Sequence, residues 1–186
     1  MTSQRLHDLL YDCAELSADR RASEILDTLV TTTLVDEDSF WDAPVEERIM
    51  YGLFSALYHA GANGLDDMWS INEMASVETL ASALEGLQLI GEKALYSHAL
   101  VFWNHMISPA VKLGLEIPEK YSDTKRGDYG SVENAIIESD LDTRLPENIQ
   151  EASDSFVSCW NTGFPDSILS WVRTFENQLA ARICKD

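Results

Sequence analysis

The chain has 186 residues, enough for one domain that buries a core without metals or disulfides. Its 45% hydrophobic composition, with five Trp, six Tyr and six Phe, argues against a disordered chain. Charge is the outlier: 32 acidic against 13 basic residues give −19, which disfavours direct contact with nucleic acid or anionic lipid.

Cys13, Cys159 and Cys184 are odd in number, far apart and in no metal-binding spacing. They read as three thiols in a reducing cytoplasm, with Cys13 and Cys159 as small hydrophobes on apolar helix faces. The residues from Met1 to Asp8 hold no apolar signal core, and no stretch approaches the roughly 18 apolar residues of a membrane helix. Neither export nor membrane spanning is expected.

Leu6, Leu9, Leu10, Cys13 and Leu16 recur at helical spacing, with Thr2 or Ser3 available as N-cap. A second helix is predicted from Arg21 to Leu34 through Ile25, Leu26, Leu29 and Val30, its β-branched end also compatible with extended chain. Asp36 to Asp42 reads as an acidic linker. Asp42 then caps a helix with Pro44 in its first turn and Ile49, Met50, Leu53, Phe54 and Leu57 on its buried side. The run Ala60 to Gly64 breaks that periodicity, and the chain to Ala75 reads as loop or short helix.

Ser76 is the next expected N-cap, before Leu80, Ala83, Leu84, Leu87 and Ile90, with Gly91 as the stop. A helix from Glu92 to Ser108 follows, ended by Pro109, and Leu115 to Asn134 reads as a long surface connection. Two last helices carry Pro146 and Pro165 near their first turns. No period-2 run or hairpin signal interrupts the series. The expectation is an all-α, single-domain bundle of about seven helices spanning 1–186.

The distribution of acid says more than its total. At 100° per residue, Asp8, Asp12, Glu15 and Asp19 fall within about 60° of one helix face, opposite the leucines. Like charges at this spacing cost roughly 0.2–0.5 kcal/mol each in an isolated helix. Glu147, Glu151 and Asp154 repeat the device opposite Ile149, Ala152 and Phe156. Six further acids lie between Asp36 and Glu47 with no basic residue among them. One reading is a set of solvated faces. The other is an anionic surface built for a basic protein partner, with the Asp8–Asp19 and Glu147–Asp154 rows as its binding residues.

Motifs for catalysis are missing. His98 and His105 sit seven apart, too far to share a metal, and no HExxH, glycine-rich phosphate loop or GxSxG occurs. No catalytic residue, cofactor or metal site is expected.

One stretch is more specific. Asn63-Gly64-Leu65-Asp66-Asp67-Met68-Trp69-Ser70 is followed some fifteen residues on by Ala83-Leu84-Glu85-Gly86-Leu87-Gln88-Leu89-Ile90-Gly91. The combination resembles the bacterial DNA-mimic protein domain, whose members carry a Gly-Gly-aromatic turn and then a helix ending Ala-Leu-x-x-Ile-Gly. Here Ala62-Asn63-Gly64 stands for Asn-Gly-Gly, Leu65 for the aromatic, and Gly86 for an alanine. The resemblance covers about residues 40 to 160. It implies tight-turn glycines over a core plugged by Leu65, Met68 and Trp69. It also implies a non-enzymatic acidic protein occupying the DNA-binding face of a bacterial protein.

Two alternatives stay open beside that reading. One is an immunity protein that neutralises a basic toxin by charge complementarity. The other is an enzyme or small-molecule binder with an apolar pocket near Trp69, Trp103 and the histidines. A homodimer is also left open.

Overall fold

The computed structural model describes residues 1–11, 13, 15–34, 37–65, 77–139, 146–160 and 164–185, and for 37, 55–63 and 160 the backbone alone. Helix α1 (Ser3–Leu10) starts at Thr2, whose hydroxyl accepts the Arg5 N–H at 3.1 Å. It buries Leu6, Leu9 and Leu10 and then stops, well short of Leu16. Residues distant in sequence contribute to that end. Arg21 Nη1 donates to the Leu9 carbonyl at 3.0 Å and Arg173 Nε to the Leu10 carbonyl at 2.5 Å. The Cys13 N–H returns to Asp8 O at 3.1 Å. Carbonyls that a longer helix would satisfy internally are taken by two guanidinium groups. Cys13 is consequently exposed, not a buried face residue as its spacing suggested.

Helix α2 (Ala18–Thr32) is capped by Ser17 and buries Ala22, Ile25 and Leu29. Its β-branched end remains helical to Thr32. The hydroxyls of Thr28, Thr31 and Thr33 bond back to the carbonyls of Glu24, Asp27 and Leu29 at 2.9, 2.7 and 3.2 Å. The expected acidic linker contains a short helix, α3 (Glu37–Asp42), so Asp42 ends a helix and does not cap the next. Helix α4 (Val45–Asn63) opens at Pro44, whose carbonyl accepts from the N–H groups of Glu47 and Arg48. It continues through Gly61 and breaks at Gly64, where φ is 106°. Leu65 behind it is fully buried, its N–H bonded to Ser153 Oγ at 2.8 Å. Met68, Trp69 and the cap residue Ser76 lie outside the described residues.

Helices α5 (Val77–Leu89) and α6 (Lys93–Met106) are joined by a tight turn at Gly91, φ 79°. Pro109 lies in the first turn of α7 (Ser108–Lys112), so it opens a helix as well as ending one. The stretch from Leu115 to Asn134 is not a simple surface connection. It contains a 3-10 turn at Tyr121–Asp123 and the start of α8 (Gly130–Glu138). Tyr121 and Tyr129, both essentially fully buried, pin it to the body, and Glu85 Oε2 accepts the Ser122 N–H at 2.9 Å. Helix α9 (Glu147–Trp160) follows Pro146, and α10 (Phe164–Val172) carries Pro165 in its first turn. A 3-10 turn at Arg173–Phe175, where Thr174 Oγ1 bonds Trp171 O at 2.7 Å, separates α10 from α11 (Glu176–Ile183).

The chain is all-α, and no strand occurs among the described residues. Their eleven α-helical segments exceed the expected seven because α3, α7 and α8 are short and the last helix is divided. The most extensive packing is α4 on α5; α9 lies across α6 and α4, and α1, α10 and α11 gather around α2. One hydrophobic cluster draws on all of these helices. Leu53, Phe54, Leu84, Leu87, Phe102, Trp103, Phe156 and Val172 are buried in it as their spacing predicts, and Phe175 is half-buried. The side chains of Leu57, Trp69 and Trp160 lie outside the described set. Among the described residues no helix is long and apolar enough to cross a membrane.

Candidate partner-binding surface

The carboxylate row predicted on the first helix is not one helix face. Asp8 is half-buried on α1 and accepts from Gln4 Nε2 at 2.8 Å. Glu15 is exposed in the connection after α1, and Asp19 is exposed in the first turn of α2. Asp12 lies outside the described residues. The 100° periodicity that aligned the four assumed an uninterrupted helix, and the arginine-capped end at Leu10 removes it.

The second row is continuous. Glu147, Glu151 and Asp154 are all exposed on α9, while Ile149, Ala152, Ser153 and Phe156 face inward. From Glu147 to Asp154 the row covers seven residue steps, about 10.5 Å of helix, or one carboxylate per roughly 5 Å. A DNA strand places a phosphate about every 3.4 Å of axis, within a factor of two. Gln150 Nε2 donates to Asp154 Oδ1 at 3.2 Å. Among the described residues no Lys or Arg forms an ion pair with any of the three.

Six of the eight arginines that could have neutralised such a face are engaged elsewhere in the chain. Arg5 clasps Glu24 through both Nε and Nη2, at 2.8 and 2.6 Å, which holds the Glu24 carboxyl below its ordinary value. Arg21 and Arg173 cap α1, Arg21 also approaching Asp166 at 3.6 Å. Arg126 pairs with Asp38 at 2.6 Å and Arg182 Nε with Glu47 Oε1 at 2.7 Å. Arg48 lies 4.7 Å from the ring centre of Trp41 and 5.3 Å from that of Tyr121, with Nη1 donating to the Tyr121 hydroxyl at 3.4 Å. Burial pushes the Tyr121 phenol up to about 12 against the opposing pull of Arg48. Six of the 13 basic residues are thus engaged with partners in the chain itself.

The third cluster, Asp36 to Glu47, is correspondingly broken up. Asp38 has its own arginine and Glu47 is fully buried. Desolvation raises the Glu47 carboxyl above its ordinary value, with Arg182 pulling it back and Thr33 Oγ1 donating at 3.4 Å. Sequence pattern could not have marked Glu47 as internal, because it stands beside Glu46 in an acidic run. Its partner lies on α11, and only the tertiary fold brings the two together.

The histidines offer no converging set. His98 and His105 are both on α6, and burial lowers His105, with Lys112 adding to the effect. The geometry of α9 suits charge complementarity: fixed negative groups on a rigid helix, exposed and with little to lose on meeting cations. Compared with protein-family models, curated proteins and solved structures, the chain matches none.

Proposed function

We propose that this chain is a non-enzymatic acidic interaction protein that sets its carboxylates against the basic surface of a protein partner, in the manner of a DNA mimic. The observation that carries the reading is the α9 row. Glu147, Glu151 and Asp154 are exposed and unneutralised among the described residues, in a molecule six of whose eight arginines are engaged elsewhere in the chain. Local helix energetics disfavour such a row, since each like-charged pair costs roughly 0.2–0.5 kcal/mol. The resemblance of the Asn63–Ser70 and Ala83–Gly91 segments to the bacterial DNA-mimic domain points the same way. Asp8, Glu15 and Asp19 do not form a second track.

Binding of this kind is steered by charge, so association slows as salt rises. The test is capture of partners from a bacterial lysate on the immobilised protein, with duplex DNA as competitor. Release of a DNA-binding protein by DNA supports the reading. A captured toxin that DNA does not displace makes the chain an immunity protein instead. Capture that is insensitive to salt and to neutralisation of the α9 row removes the electrostatic argument.

A further inference from the structure

Two of the buried charges have an oppositely charged group within reach, and a third does not. Arg21 holds the Leu9 carbonyl and faces Asp166, and the fully buried Glu47 meets Arg182. Arg48 is only 8% exposed, yet among the described residues no carboxylate forms an ion pair with it. Its one hydrogen bond runs from Nη1 to the Tyr121 hydroxyl, at 3.4 Å, long for such a bond. The rings of Trp41 and Tyr121 lie against the guanidinium but carry no net charge. Nε is buried without a hydrogen-bond partner. Nη2 has none among the described residues either and is not buried, so the Nε–Nη2 edge opens to the surface at that atom. A guanidinium cannot lose its proton to suit a buried setting, and a buried charge left unpaired calls for a counter-ion.

We infer that Arg48 anchors a binding site for a small monocarboxylate, whose two oxygens take the Nε–Nη2 edge. That edge presents two parallel N–H donors in one plane, the pattern a carboxylate matches with two hydrogen bonds. The chain's own acids leave it open. Glu78 and Glu85 lie near enough to add to the rise of the Tyr121 phenol, but neither pairs with Arg48, and Glu85 Oε2 is turned to the Ser122 N–H. Their charge, with the net −19, weighs against a dianion such as phosphate more than against a monoanion. Lys120, exposed and next to Tyr121 in the chain, adds a cation on the same segment. The site is a product of the fold: Trp41 comes from α3, Arg48 from α4 and Tyr121 from the 3-10 turn. A ligand bound there touches the group that joins all three. The inference does not rest on the α9 reading, which concerns exposed carboxylates on another helix.

Acetate is the minimal probe, titrated into the full chain at neutral pH with chloride replaced so that ionic strength stays constant. The Arg48 Nε–H signal, assigned by NMR through its own side chain, should shift with acetate and saturate. Phosphate at the same ionic strength should move it less. The thermal unfolding midpoint should rise in acetate relative to chloride, as it does when a ligand binds the folded state alone. Arg48→Lys keeps the charge but lacks the planar pair of donors, so this acetate-specific rise should vanish in it. If that variant does not fold, the NMR titration of the parent decides alone. An Nε–H signal that does not respond, or responds without saturating, overturns the site. So does an acetate-specific rise that survives in Arg48→Lys. A larger response to phosphate than to acetate overturns the choice of ligand.

Discussion

The crossing of α4 and α5 offers the sharpest test of how the body is held together. Gly52 and Gly86 sit within the two helices, where glycine costs about 1 kcal/mol relative to alanine. A Cβ on Gly52 would stand 1.9 Å from Ser82 Oγ and 2.9 Å from Ser82 Cβ. One on Gly86 would fall 2.5 Å from Leu53 Cγ. At Gly52 the clash cannot be relieved by rotating a flexible end, because Ser82 Cβ and the Ala83 nitrogen at 3.1 Å are fixed to the facing helix. Moving Ser82 also breaks its bond to Thr79 O, 2.8 Å, worth about 0.5–1.5 kcal/mol. Overpacking costs about 1–3 kcal/mol, partly offset by the helix gain. Gly52→Ala should therefore destabilise by about 1–3 kcal/mol in urea unfolding, with the m-value unchanged. In a Ser82→Gly background both contacts with the serine side chain are gone and only the 3.1 Å approach to the Ala83 nitrogen remains, so the same substitution should become neutral or stabilising. That reversal of sign is the signature of a shared contact. If Gly52→Ala is neutral in the parent, or costs the same in both backgrounds, the helices do not cross as described.

Other consequences are more direct. Because burial raises the folded-state value of Glu47, the folded chain keeps that proton to higher pH than the unfolded chain does. The contribution is full below the ordinary carboxylate range and is lost as pH rises through the folded value. Relief of the −19 charge works in the same direction, while Glu24, lowered by Arg5, works against it at still lower pH. The unfolding midpoint should rise from neutral pH toward the upper end of the carboxylate range, and Glu47→Gln should flatten the rise; an equal slope in the variant would contradict the assignment. Arg173→Met removes the donor on the Leu10 carbonyl and should cost about 1–3 kcal/mol, with faster hydrogen exchange in α1. Phe156→Ala, at a fully buried position, should cost about 3–5 kcal/mol by the same unfolding measurement.

Helical periodicity revealed what local pattern can reveal. The inward faces of α4, α5, α6 and α9 were legible because their apolar residues recur within one helix. What failed were inferences that required knowing where a helix ends. Nothing near Leu10 signals a stop, since the residues that take its carbonyl, and that of Leu9, are Arg173 and Arg21. That one long-range arrangement dissolves the Asp8–Asp19 row and exposes Cys13. Tyr121 and Tyr129 were hidden in a stretch whose Pro118, glycines and charges look like a surface connection, yet two buried rings make it part of the core. Gly86, a departure from the resembled motif, has its reason in Leu53 across the helix crossing. The α9 row was readable because it lies wholly within one uninterrupted helix. The internal use of the arginines was not, because every partner but one of Glu24, Asp38, Glu47 and Tyr121 lies on an element far along the chain.

The central claim concerns the α9 carboxylates, and one variant addresses it: Glu147→Gln, Glu151→Gln and Asp154→Asn together. All three side chains are exposed, so stability should be unchanged or slightly higher as repulsion within the row is removed. The measurement is the affinity of this variant and of the parent for the basic partner captured by the parent, across a salt series with duplex DNA as competitor. The account predicts much weaker binding by the variant at low salt, a shallower salt dependence, and displacement of the parent by DNA. Equal affinity of variant and parent at low salt would contradict it and leave the row a solvated helix face.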